Sequence, residues 1–493
     1  MKPTRTLALL GSLVLGVVAC ADRGAPKPAS QDAAQDTATD MSDDVADTGS
    51  EEGDEGEVHE DDCDAPSPRR LRRLSHLEYR HSLQDLFDVD IDDHGSLASD
   101  PSVDGFDNDA EALVVGTLLA DQYRSLAESV ALSADLSPWT TCDLSADSCR
   151  LDTIDALGRS VWRRPLSAEE LTTLDELAVA LALDETAEAG LRWTLVAMLQ
   201  SPHFLYRAEL GVEDASGTYL LDDWERATVL SYQLWGTTPD EALLDAADSG
   251  ALSTEAGLQA ELERMLEDPR AAEQLADLVE AWLHLDLLDT VSRVDLTDTE
   301  RAQMRAELRS QVIDQMDGTT DSLLADGLML SPALLTAHGV PEGSGPVQRG
   351  VMVRELLLCE HLPPPPSGID TSAPEVDPTQ TTREQVNQHA EDPTCAGCHD
   401  RIDPLGFAFE HYDQLGQWRD TDRGLPIDDS GNLDGLTFSG ADGLTEALRS
   451  DPRVATCFVQ TARRWLSGAP ACADEVAEAA LTAPLTELSW ERR

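Results

Sequence analysis

The pentapeptide Cys395-Ala396-Gly397-Cys398-His399 constrains this chain more than any other stretch. Two thiols three positions apart, with an imidazole directly after them, have the spacing of a c-type haem attachment site. On one helical turn both sulfurs can form thioethers to the vinyl groups of a haem, and the next residue offers a nitrogen to the iron. With 9 Cys and 11 His in 493 residues, chance would supply this pattern roughly 0.004 times. A Cys395/Cys398 disulfide or half of a zinc site would use the same pair, but no second closely spaced pair completes the four ligands zinc takes.

A haem held this way belongs outside the cytoplasm, as disulfides do, and the N-terminus agrees. Lys2 and Arg5 precede an apolar run, Leu7 to Ala19, too short to span a bilayer as a mature helix, so residues 1–20 read as a signal peptide. It ends Val17-Val18-Ala19-Cys20, a lipobox-like sequence that makes Cys20 the expected lipidated residue and the membrane an expected partner through that anchor. Ala21 rather than Asp directly follows Cys20, which favours the outer membrane or periplasmic face over the inner membrane. Residues 21–68 are rich in Asp, Glu, Ala, Thr, Gly and Pro and poor in large apolar side chains, the composition of a disordered acidic tether.

A formal charge of -60 argues against nucleic acid as a partner, since phosphates would be repelled. Lysine occurs only at Lys2 and Lys27, so the folded part draws its positive charge from arginine alone. Aromatic residues make up 4% of the chain, so the core is expected to be built from Leu, Ala and Val in helices. The fold class expected is mainly α: multi-domain helical bundles with a C-terminal cytochrome c-like haem domain behind the acidic tether.

Start signals repeat along the chain. Capping boxes are expected at Ser75/Glu78, Ser167/Glu170, Asp222/Glu225, Thr238/Glu241 with Pro239 in the first turn, and Thr297/Glu300, and a helix is expected to start at Asp268-Pro269. A helix over about Glu111 to Ala131 and a last one from about Arg453 to Leu466 complete the set. Pro426 to Gly435 suggests one small hairpin. The organisation expected is helical domains over 69–150, 151–215 and 216–335, a haem domain over 336–425 and a helical cap over 426–493. Cys142/Cys149 and Cys457/Cys472 are the local disulfide pairs, leaving Cys63 and Cys359, although six cysteines permit fifteen pairings.

Several stretches together resemble a known bacterial family. They are Leu74-Ser75-His76-Leu77-Glu78-Tyr79-Arg80, Arg163-Arg164-Pro165-Leu166-Ser167, Ser201-Pro202-His203-Phe204-Leu205-Tyr206-Arg207, the run from Arg349-Gly350 through Leu357-Leu358-Cys359 to Pro363-Pro364-Pro365-Pro366, and Cys398-His399-Asp400-Arg401-Ile402-Asp403-Pro404-Leu405-Gly406-Phe407. Their order resembles the exported cytochrome-like proteins of planctomycetes and myxobacteria, built from a series of small domains of unknown function. Many such proteins carry an additional N-terminal cytochrome c domain that this sequence lacks, so the resemblance implies a single haem c. It implies no substrate.

His399 is the proximal iron ligand by position. No methionine follows the motif, and Met352 is the last in the chain, so a downstream Met ligand is not expected. His411 is a candidate distal ligand if the chain reverses at Asp403-Pro404-Leu405-Gly406; His389, His361, Met352 or an open site are the alternatives. Phe407, Phe409 and Tyr412 are candidates to pack on the porphyrin, and Arg401 and Arg419 to meet its propionates. The leading reading is electron transfer with an unidentified redox partner protein. An oxidoreductase or peroxidase-like enzyme with an open iron, or a binding module in which haem is structural, are the alternatives.

Overall fold

Apolar stripes at helical spacing need neighbours to bury them, and in the computed structural model they assemble into two cores. The structure describes residues 69–91, 97–183, 186–215, 217, 219–290, 296–316, 327–341, 343–363, 377–390 and 393–469. The expected signal peptide with Cys20, the acidic stretch to Pro68, Cys63, Pro364 to Pro366 and Cys472 lie outside the described residues. The chain is mainly helical, and among the described residues its strands form only two-stranded ribbons. No described helix is long and apolar enough to cross a membrane.

The first core is built by α1 (His76–Phe87), α2 (Thr117–Ser133), α3 (Asp147–Trp162), α4 (Ala168–Leu181) and α5 (Ala187–Gln200). The Ser75/Glu78 and Ser167/Glu170 capping boxes both form, each side chain satisfying the other residue's backbone N–H. α2 starts at Thr117, later than its apolar pattern suggested. Asp109 accepts from the backbone N–H groups of Glu111 and Ala112 and holds that segment as a turn instead. α4 and α5 touch at Gly190, where a Cβ would overlap the Ala178 carbonyl. β1 (Arg70–Arg73) pairs antiparallel with β2 (Tyr206–Glu209), Arg70 opposite Glu209 and Arg73 opposite Tyr206, closing the end of this unit on its start.

The second core begins with α6 (Asp223–Leu234), α7 (Glu241–Asp248), α8 (Glu255–Leu266), α9 (Pro269–Trp282) and α10 (Asp298–Met316). The Asp222/Glu225 box, the Asp268 cap before Pro269 and the reciprocal Thr297/Glu300 bonds follow the sequence. The start of α7 does not. Asp240, rather than Thr238, caps it, accepting from the Leu243 N–H at 2.9 Å, because Arg264 fixes that carboxylate with bonds of 2.8 and 3.0 Å.

Further along come the short helix Pro332–Ala337, whose apolar residues join this core, and α11 (Pro346–Met352) running into a π turn over Val353–Leu357, then α12 (Thr382–Ala390), α13 (Pro393–Gly406), a 3₁₀ turn over Phe407–Phe409, α14 (Gly440–Arg449) and α15 (Pro452–Ser467). Two hairpins replace the one expected: β3 (Thr421–Asp422) with β4 (Leu425–Pro426), and β5 (Ser430–Leu433) with β6 (Leu436–Ser439). Each turns on a residue pair with positive φ, Arg423-Gly424 and Asp434-Gly435.

Cys142 and Cys149 are joined as expected. Cys457 is not paired with Cys472: it joins Cys359, with Cα atoms 5.3 Å apart. Cys457 is 1% exposed on the inner face of α15, and the left-handed backbone of Cys359 just after the π turn brings its sulfur to that face.

Candidate functional site

Helical spacing sets the site. On α13 the residues Cys395, Cys398, His399, Ile402 and Asp403 fall at positions i, i+3, i+4, i+7 and i+8 and therefore share one side. Both thiols are unbridged and partly exposed. Gly397 between them opens on free space, since a Cβ there would meet nothing within 4 Å. The His399 ring is partly exposed, and its Nδ1 lies 3.0 Å from each oxygen of Asp403, one turn further along. Asp403 is buried, at 3% exposure.

α13 is pinned by backbone approach and by arginine. A Cβ on Gly350 of α11 would overlap the Ile402 carbonyl, and one on Gly406 would overlap the Pro346 carbonyl, so the two helices cross backbone to backbone. From the π turn, the buried Arg354 donates its Nε–H to the Arg401 carbonyl at 3.1 Å and spreads its guanidinium between Glu360 and Asp434. Arg453 at the start of α15 joins the same two carboxylates. Hydrogen bonds from Arg354, the larger effect, and from Arg453 hold the Asp434 carboxyl below its usual range.

Pro404 does not break this helix. It removes one ladder bond, to the carbonyl of Asp400, and Asp400 is exposed to water, so α13 runs on through Gly406. The chain reverses later, where Tyr412 bridges Trp418 and Asp413 accepts from the N–H groups of Leu415 and Gln417. Arg349, fully buried on α11, holds that reversal by donating to the carbonyls of Leu335, Phe409, Tyr412 and Asp413.

Family models cover much of this architecture. PSD3, a protein of unknown function (DUF1587), matches residues 72–135, and PSD5 (DUF1595) matches 149–209. PSD4 (DUF1592) matches 221–339, and PSCyt3 (DUF1588) matches 325–422. Four domains of unknown function stand in series here. No curated protein matches the chain, and no solved structure matches it. The PSCyt3 region runs from before α11 through α13 to the first strand beyond it, and so contains the whole Cys395 to Asp403 side.

Within PSCyt3 the other residues singled out from the sequence lie as follows. His411 stacks flat on Trp418, ring centres 4.5 Å apart, and its Nδ1 lies 2.9 Å from the Arg419 carbonyl. His411 lies beyond the end of α13 at Gly406 and the 3₁₀ turn that follows it, so no single helix joins it to His399. Met352 is buried in the apolar core, His361 is exposed, and His389 lies on α12. Phe409 also belongs to the apolar core, and the buried Phe407 ring lies 4.4 Å beneath the Arg383 guanidinium. Tyr412 packs against that core as well. Arg401 pairs with Glu360, and Arg419 with Glu410 and Asp422. Burial pushes the Glu410 carboxyl up even with Ser344 and Arg419 beside it.

Sequence reasoning missed Asp403, Arg349 and Arg354. Asp403 had a signal, an acid four residues after a histidine on a helix, but 95 acidic residues hide any one of them. The arginines had none, because their partners are distant in sequence.

Proposed function

We propose that the protein is an exported, lipid-anchored monohaem c-type cytochrome that transfers electrons in the periplasm or at the outer membrane. The observation that carries this reading is the side of α13 bearing Cys395, Cys398 and His399. Its thiols are unbridged, whereas Cys142, Cys149, Cys359 and Cys457 are all paired. The donor set fits a covalently held haem c. The two sulfurs lie one turn apart, Gly397 leaves room beside them, and with Nδ1 engaged by Asp403 the nitrogen that would ligate is Nε2 of His399. Among the described residues no group of three or more His, Cys, Asp or Glu could hold a metal ion on its own, which a zinc site would need.

Bound haem would supply a one-electron carrier. Cys395 and Cys398 would hold it, and His399 would orient it from a helix fixed by Gly350, Gly406 and Arg354. The acidic surface suits a redox partner with a basic face and disfavours nucleic acid. Cys20 would tether the chain to the membrane. Production with haem-maturation machinery tests the reading: haem should stay with the denatured protein at one per chain, and Cys398→Ala should abolish that retention. Denatured protein free of haem would overturn it. Cys20→Ala should move the protein from the membrane fraction to the soluble one.

A haem-dependent oxidoreductase with an open iron site is the second reading. It is favoured by His411, whose ring is stacked on Trp418 with Nδ1 at the Arg419 carbonyl, and by Met352, which is buried in the core. A reduced spectrum that shifts under carbon monoxide would select it over electron transfer.

A further inference from the structure

We propose that Asp403 is the positioning residue for His399, fixing its ring and tautomer and, resting on the haem reading above, holding the bound iron towards its oxidised state. Aspartate in the last turn of a helix is locally unfavourable, because its charge meets the negative end of the helix dipole. A carboxylate buried to 3% exposure is costlier still unless a donor compensates it. Here both its oxygens lie 3.0 Å from Nδ1 of the partly exposed His399. Most His–Asp pairs four apart on a helix sit in water and contribute little. This one has its acid on the protein side, where a charge-assisted hydrogen bond is strong and well oriented.

Two consequences follow. The carboxylate accepts only, so Nδ1 is the donor, and in the neutral ring this leaves the lone pair on Nε2 for a ligand. A full negative charge behind the ring also makes Nε2 a stronger donor than a backbone carbonyl would, and so stabilises ferric over ferrous iron.

The tautomer can be read without haem. In the haem-free protein, ring ¹⁵N shifts of His399 should place the proton on Nδ1, and Asp403→Ala should shift it towards Nε2. In the haem-loaded protein, Asp403→Asn should retain covalent haem but change the reduced-to-oxidised ratio at fixed potential at least tenfold in favour of the reduced form. That is 59 mV upward for a one-electron couple. The iron–histidine stretching frequency should fall with it, a signature a merely structural role would not move. A neutral His399 ring with its proton on Nε2 rather than Nδ1 in the unsubstituted protein would overturn the proposal and needs no variant to fold. An unchanged potential and stretching frequency in Asp403→Asn would overturn it as well. Absence of covalent haem would defeat the haem reading alone, and the ring-nitrogen measurement would still decide whether Asp403 sets the tautomer.

Discussion

Arg163 in the first core and Arg349 in the second do the same work by the same means. Both are buried at the seam between a helix and a later stretch of chain, and both donate to backbone carbonyls at a reversal: those of His203, Phe204 and Tyr206 for Arg163, and those of Leu335, Phe409, Tyr412 and Asp413 for Arg349. A planar fork of donors suits several carbonyls at once, as a lysine ammonium does not, and the folded part contains no lysine. The difference lies in what each reversal carries. The one at Arg163 leads into β2, a strand that only closes its own unit. The one at Arg349 follows the helix bearing Cys395, Cys398 and His399, and that helix is further clamped by Arg354 and by close crossings at Gly350 and Gly406. The arginine clamp is therefore architecture in both places, and chemistry enters only where thiols and an imidazole line the clamped helix.

The disulfides sharpen the contrast most. Cys359–Cys457 closes a 98-residue span that encloses the Cys395-to-His399 motif, whereas Cys142–Cys149 closes one of 7. By loop entropy alone the long closure contributes about 4.7 kcal/mol and the short one about 2.4 kcal/mol. Cys457→Ala should therefore lower the stability of the second core about twice as much as Cys142→Ala lowers that of the first, read by denaturant melts followed with a reporter in each core. Equal losses would break the comparison.

Next come the clamps. Arg349→Lys and Arg163→Lys should each cost about 4 kcal/mol, because an ammonium leaves buried carbonyls without donors. Only Arg349→Lys should also lower the yield of covalent haem, measured on denatured protein.

These contrasts also mark what the residues announced in advance. Ser75/Glu78, Ser167/Glu170, Asp222/Glu225 and Thr297/Glu300 were readable because a cap is decided within four residues. The Cys395 to His399 spacing was readable for the same reason. Cys359–Cys457 and both arginine clamps were not, since each joins segments that only the packed fold brings together. Pro404 was read as a break because a missing N–H counts as a loss in sequence, whereas in the fold the carbonyl concerned belongs to an exposed residue. Thr238 lost its role to Asp240 because the deciding partner, Arg264, stands 24 residues away.

Glycine crossings come third. Gly406→Ala and Gly190→Ala each push a methyl group into a backbone carbonyl, at a cost of about 3 kcal/mol. Thermal melts should show both losses, and only Gly406→Ala should shift α13 enough to reduce haem attachment. Retained attachment in that variant would mean that the motif tolerates movement of its helix.

Acid should separate the two cores with the smallest effect. In the second core His338 is buried and its Nε2 lies 2.8 Å from the Leu283 carbonyl, which makes Nε2 the donor and leaves the ring neutral; burial pushes its pKa down to about 4. The unfolded chain binds this proton from about pH 6.5 downwards and the folded one only from about pH 4, so between those values the unfolded state holds more protons and stability falls as pH falls. Between pH 7 and pH 5 the loss is about 2 kcal/mol. Burial of Glu410 acts in the opposite direction, because a carboxyl raised by folding gains protons earlier in the native state. The difference between the unsubstituted protein and His338→Asn isolates the histidine: the variant should lose the downward slope between pH 6.5 and 4. In the first core burial also pushes His76 and His203 down, so that core too loses some stability as pH falls below about 6.5; its carboxylate contribution lies lower. Arg164 and the Ser167 cap draw Glu170 down to about 2, so that contribution is present above about pH 4.5 and disappears only as pH falls towards 2. A downward slope of second-core stability between pH 6.5 and 4 that shrinks in His338→Asn, while the first-core slope stays unchanged, would tie that part of the loss to this one ring.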